Sequence, residues 1–215
     1  MKDKVFFPLA LLVVLLMVTS AIWPGVGRLP DGPVAGDGSN YDRVSVSGAY
    51  LNKVQAGGDA ITELVRDKRG RYLLYVRAEA EALRPAPEEG PHFLLASDLE
   101  QQFSGRRVRV TVRMRPADNQ GAMQAKAIYS AGRAGDSGWQ IFDLQPGFTD
   151  FSFEFDVPVH TGDQGYDYLG IRPVVPVKTR AILVESITFD AWAGPRRKAD
   201  AQARGMPFAS PDGPA

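Results

Sequence analysis

Four aromatic side chains and one arginine stand where this sequence could hold a ligand. Trp139 follows the glycine-rich stretch "AGRAGDSG" (131–138). Tyr166 and Tyr168 lie in the polar stretch "HTGDQGYDYLG" (160–170), and Tyr129 falls late in "AMQAKAIYSA" (122–131). A flat ring offers an apolar face on which a sugar ring stacks, and the phenol or indole edge adds a hydrogen-bonding group. The plainer reading of Trp139 and Tyr168 is that they cap the hydrophobic core. Trp192, at the end of the last apolar run, reads as core.

The arginine is Arg115, the last of a ladder. In "GRRVRVTVRMRP" (105–116), Val108, Val110, Val112 and Met114 alternate with Arg107, Arg109, Thr111, Arg113 and Arg115. Successive strand side chains point to opposite faces, so one face is buried and the other carries guanidinium groups. "TDFSFEFDVPV" (149–159) mirrors it, with Phe151, Phe153, Phe155 and Val157 on one face and Asp150, Ser152, Glu154 and Asp156 on the other. Antiparallel pairing with residue numbers summing to 263 sets Arg107 against Asp156, Arg109 against Glu154, Thr111 against Ser152 and Arg113 against Asp150. The same register brings the valines onto the phenylalanines, and a slip of one residue would bring Arg onto Phe. The ladder therefore reads first as the wet side of a sheet neutralised by carboxylates. The alternative is an anion-binding face for an acidic polysaccharide or a lipopolysaccharide phosphate. Arg115 has no acid opposite it in this register and is the candidate free guanidinium.

Catalytic chemistry finds no anchor, and no catalytic residue is assigned. There is no cysteine, which removes thiol nucleophiles, thiolate metal sites and disulfides together. The two histidines, His92 and His160, are far apart in sequence. Carboxylate pairs can be drawn from Glu154, Asp156, Asp163 and Asp167, but nothing in the sequence gives one of them the altered environment a glycosidase acid needs. No nucleophile elbow, zinc-protease helix or P-loop occurs. "GDSG" (135–138) reads as a turn. No metal site and no cofactor are expected.

These residues need a scaffold, and most of the middle of the chain reads as strand. "RYLLYVRAEAEA" (71–82), "GWQIFDL" (138–144), "YLGIRPVVPV" (168–177) and "RAILVESITFDAW" (180–192) join the two alternating runs and "AMQAKAIYSA". "GGDAITELVRDK" (57–68) is open between a short helix and a strand. Short strands, frequent turns and one-sided hydrophobicity point to an all-β antiparallel sandwich or barrel. The 215 residues hold 25 Lys+Arg against 25 Asp+Glu, a balance unlike the basic excess of nucleic-acid proteins.

The order "YLLYVRA", "SGRRVRVTVRM", "GFTDFSFEFDVP", "AILVESITF" resembles the galactose-binding-like jelly roll of carbohydrate-binding modules, over roughly residues 41–192. The resemblance implies a jelly-roll β-sandwich with aromatic ligand contacts at loop–strand junctions. Members often bind a structural calcium. No Asp-rich loop of that spacing is present here, so that site is not carried over.

At the N-terminus, Lys2 and Lys4 precede an apolar run from Val5 to Val18, which Ala21, Ile22 and Trp23 extend before Pro24-Gly25. Read as one transmembrane helix (1–23), or as a signal peptide cleaved near "TSA", it would place the N-terminus in the cytoplasm and the body beyond the inner membrane. Residues 24–40 read as a flexible linker, 41–192 as the sandwich and 193–215 as a disordered tail. The expected whole is a membrane-anchored, non-catalytic carbohydrate-binding module of the cell envelope. Its expected partners are glycan and, through the helix, membrane lipid. The alternative is an extracytoplasmic accessory subunit that caps a membrane complex by protein–protein contacts.

Overall fold

The computed structural model describes residues 3–22, 27–36, 38, 42–58, 60–79, 89–162, 164–175 and 178–192. It divides into two units, one ending at Pro30 and the other starting at Asp31. The first holds helix α1 (Asp3–Ile22). Among the described residues, no helix is long and apolar enough to cross a membrane. The unbroken apolar run Val5–Val18 is 14 residues long. That is about 21 Å of helix against roughly 30 Å of hydrocarbon. Asp3 and Lys4 bound it on one side. On the other, the Thr19 and Ser20 hydroxyls donate to the carbonyls of Leu15 and Met17. The expected transmembrane helix and the single-pass inner-membrane placement are therefore overturned, and the lipid and membrane-complex contacts expected of that helix have no support.

The second unit is a two-sheet antiparallel sandwich. Its elements are β1 (Arg43–Ser47), β2 (Ala60–Arg66), β3 (Tyr72–Ala78), β4 (His92–Leu94), α2 (Ser97–Phe103), β5 (Arg107–Pro116), β6 (Gln124–Ala131), β7 (Gln140–Asp143), β8 (Thr149–Asp156), β9 (Asp167–Pro173) and β10 (Arg180–Trp192). The stretch open between helix and strand is the strand β2. One sheet runs β2-β3-β10-β5-β8, with β1 also on β10; the other runs β4-β9-β6-β7.

The β5–β8 pairing is the one the sequence requires: Arg107 opposite Asp156, Arg109 opposite Glu154, Thr111 opposite Ser152, Arg113 opposite Asp150. Arg107 Nε donates to Asp156 at 2.7 Å, Arg109 Nη2 to Glu154 at 2.6 Å and Arg113 Nη1 to Asp150 at 3.0 Å. Those acids raise the pKa of Arg107 and Arg113, chiefly through side-chain hydrogen bonds. Along β10 the register shifts between Val184 and Ser186, so Glu185 is an extra residue on that strand. A bulge re-aims a side chain. Here the Glu185 carboxylate accepts from Arg113 Nε at 2.7 Å and pairs with Arg71.

Both sheets turn their apolar faces inward. Val108, Val110, Val112, Ile187 and Phe189 from the larger sheet meet Ala125, Ala127, Tyr129, Leu169 and Ile171 from the smaller. Helix α2 closes one end, with Phe103 stacked on Phe189 at 6.1 Å between centroids. Val34, inside the stretch expected to be linker, is buried in this core and bridges Leu95. The tail 193–215 lies outside the described residues.

Candidate functional site

The outer face of the smaller sheet differs from that of the larger one. On β6, Ala125, Ala127, Tyr129 and Ala131 point into the core, which leaves Gln124, Lys126, Ile128 and Ser130 on the outer side. The registers extend that face to the neighbouring strands. Ser130 pairs with Tyr168 and Tyr168 with Leu94; Ile128 pairs with Gly170 and Gly170 with His92; Lys126 pairs with Arg172 and with Ile141.

At one end of this face is a cleft of about 320 Å³ lined by His92, Leu94, Gly132, Arg133, Tyr166 and Tyr168. Ligand clefts span about 300–1,000 Å³. Tyr166 is 69% exposed at the rim. Tyr168 is held edge-to-face against His92, with centroids 5.6 Å apart. His92 Nδ1 lies 2.7 Å from the Gly90 carbonyl, which can only accept. The ring proton is therefore on Nδ1, and a neutral His92 presents the Nε2 lone pair as an acceptor. The loop behind the cleft is tied down by the Arg133 N–H, which donates to the Gln164 carbonyl at 2.7 Å.

Farther along the face, Trp139 receives two cations. Lys126 Nζ is 4.5 Å and the Arg172 guanidinium 5.0 Å from the ring centroid. The two basic side chains stand opposite each other on β6 and β9, so both reach the indole from the sheet. Arg172 is fully buried, and a Cβ on Gly90 would run into its guanidinium. Trp139 does not cap the core; it lies on the outer face with Tyr168.

Tyr129 does not share that face. It is fully buried, and its hydroxyl donates to Asp167 Oδ2 at 2.7 Å. Its ring packs tilted against Phe155 and edge-to-face against Phe189, beside its small alanine neighbours on β6. Arg115 belongs to the opposite sheet, and Asp118, three residues on, pairs with it at 2.7 Å. The expectation of a free guanidinium there fails because the acid comes from the following turn, not from β8. The tyrosines Tyr166 and Tyr168 are brought into one cleft, Trp139 onto the same sheet face, and Tyr129 and Arg115 elsewhere.

Asp167 corrects a further expectation, that no acid stands in an altered environment. Its side chain is 1% exposed, and His160 Nε2 is 3.4 Å away. Burial raises its pKa to about 6; the Tyr129 hydroxyl and then His160 oppose that rise, and Glu100 adds to it. Burial, more than the neighbouring Asp167, raises Tyr129 well above the usual phenol range. The Asp167 carboxyl faces inward onto Tyr129, away from the cleft, so it positions the strand between Tyr166 and Tyr168 without reaching a ligand. Asp163 lies outside the described residues. Among the described residues, no group of three or more His, Cys, Asp or Glu is placed to hold a metal ion.

No family model and no curated protein matches the chain. Among solved structures, it is similar to the CBM22-1 xylan-binding domain of Xyn10C from Paenibacillus barcinonensis, at 12% identity and a TM-score of 0.47, covering 71% of this chain and 95% of that one. It is similar to the carbohydrate-binding module CBM6cm-2 of Cellvibrio mixtus lichenase 5A, solved with cellotriose, at 11% identity and a TM-score of 0.40, covering 68% and 95%. It is also similar to the xylan-binding module CBM86 of Roseburia intestinalis, at 18% identity and a TM-score of 0.39, covering 70% and 96%.

Proposed function

We propose that the sandwich is a jelly roll whose smaller sheet binds carbohydrate without catalysis, in the cleft between β4, β9 and the loop at Gly132. One observation carries this reading: Tyr166 and Tyr168 share a cleft with His92, whose proton is held on Nδ1 by the Gly90 carbonyl. Rings for the apolar face of a sugar thus stand beside an acceptor for its hydroxyls. Arg133 at the rim adds a second polar group.

The test is calorimetric titration of the full chain with soluble polysaccharides. A non-glycosidic detergent keeps sugar headgroups from competing. Tyr168→Ala and His92→Ala should each weaken binding about tenfold or more, the loss of a stacked ring or of a placed hydrogen-bonding group. Arg115→Ala, on the opposite sheet, should leave it unchanged. Equal binding by Tyr168→Ala and the native chain would remove the cleft from consideration.

A further inference from the structure

Strand β1 leaves one of its edges open. It pairs with β10 and, among the described residues, with no other strand. Just before it, the Asp42 carbonyl accepts from the Ala191 N–H at 2.7 Å. Bonded and non-bonded pairs alternate along an antiparallel ladder. Val44 and Val46 therefore turn their backbone groups toward Phe189 and Ile187, and those of Arg43 and Ser45 point the other way. Among the described residues nothing bonds to the N–H or carbonyl of Arg43 or Ser45 on that side.

This edge lines a cleft of about 480 Å³. Its floor is apolar and buried, with Val44 and Val46 from β1 and Val34 from the segment that bridges Leu95. Tyr50, 58% exposed, also lines it. The lining holds two cations, Arg43 and Lys53, and no acid. Arg43 reaches Asp190 at 3.5 Å, and Lys53 Nζ donates to the Pro33 carbonyl, an acceptor without charge.

These groups state the chemistry of an occupant. Backbone donors and acceptors that recur every second residue are matched by another extended backbone. Added antiparallel, such a strand sets alternate side chains over the valines and the others outside. A rim with two cations and no acid favours acidic side chains on the incoming chain.

We infer that an extended acidic segment of a partner protein adds a strand to the free edge of β1, seating apolar side chains on Val34, Val44 and Val46. The cleft shares no lining residue with the tyrosine cleft, so the inference stands apart from the carbohydrate reading.

The probe is a short capped peptide in which valines alternate with threonines between terminal glutamates. Titrated calorimetrically into the full chain in the same detergent, it should bind. With valines on the cleft floor, the threonine N–H groups face Ser45. Methylating those nitrogens should weaken binding about tenfold or more, and it leaves the protein unaltered. Ser45→Pro should weaken it as much, because it removes an N–H that bonds to nothing inside the fold. Ser45→Ala keeps that N–H and should bind like the native chain. Lysines in place of the terminal glutamates should weaken binding about threefold. No binding of the parent peptide, or undiminished binding either of the methylated one or by a Ser45→Pro chain that urea shows to be folded, would overturn the inference. Equal binding of the lysine-ended peptide would overturn its acidic partner. Displacement of the peptide by polysaccharide would assign the cleft to glycan, and a native dimer that Ser45→Pro dissociates would assign the edge to a second copy; either result would overturn it.

Discussion

Replacing Gly132 by alanine separates two costs that a loop glycine can hide. Gly132 has φ +57°, in the left-handed region. A Cβ built there falls on the Gln164 carbonyl oxygen, well inside the 3.0 Å that real Cβ atoms keep. That oxygen is backbone, so no rotamer change relieves the contact. It is also the acceptor for the Arg133 N–H at 2.7 Å. Gly48 is the control. Its φ is +59°, and a Cβ there meets nothing within 4 Å. Gly48→Ala therefore incurs only the left-handed penalty, about 1–2 kcal/mol. Gly132→Ala incurs that penalty and also forces residue 164 away, losing a hydrogen bond that contributes about 1 kcal/mol. Urea unfolding of both variants should show Gly132→Ala less stable than Gly48→Ala by about 1 kcal/mol or more. Because residue 164 leads directly into Tyr166 and Tyr168, the same variant should weaken glycan binding, whereas Gly48→Ala should not. Equal stability of the two variants would refute the close approach of the loops, and unchanged glycan binding by Gly132→Ala would refute their role in shaping the cleft.

Two other outcomes follow from the packing. Phe103→Ala empties a fully buried site stacked on Phe189 and should cost about 3–5 kcal/mol in chemical denaturation, with helix α2 losing amide protection first in hydrogen exchange. Asp167 has a folded-state pKa of about 6, above its ordinary 3.8, so the folded chain holds that proton more tightly than the unfolded chain. Its contribution to stability is greatest below about pH 4, falls by up to roughly 3 kcal/mol as pH rises to about 6, and is flat above that. Asp167→Asn should lack this fall, and parallel pH–stability curves for variant and native chain would show that Asp167 is not its source.

The β5–β8 register is legible in the sequence because four polar pairs and three apolar pairs have to be satisfied together, and only one alignment does that. Helix α2 is not legible. Seven residues do not span two helical turns, so Leu99 and Phe103 give no period to recognise. Strand β4 has three residues, too few to alternate. In the site, Tyr166 and Tyr168 are legible as aromatics in a polar stretch entering a strand. His92 is not, because its role comes from the Gly90 carbonyl and from Tyr168, which is distant in sequence. Tyr129 carries a signal that its residue type obscures: it shares parity with Ala125, Ala127 and Ala131, and three small apolar residues in alternation mark the buried side. The partner of Arg115 is not legible from strand pairing, because Asp118 reaches it within one turn of chain.

The charge on the two outer sheet faces bears on function. On the larger sheet the β5 arginines are already paired with acids. Asp150, Glu154 and Asp156 stand within hydrogen-bonding distance of the arginines and would repel an approaching carboxylate as strongly as the guanidinium groups attract it. On the smaller face Lys126 meets the Trp139 ring, which attracts a cation without cancelling its charge. Arginine number along a strand is therefore a poor guide to where an anion binds. The deciding quantity is whether the opposing strand supplies acids, as β8 does along β5.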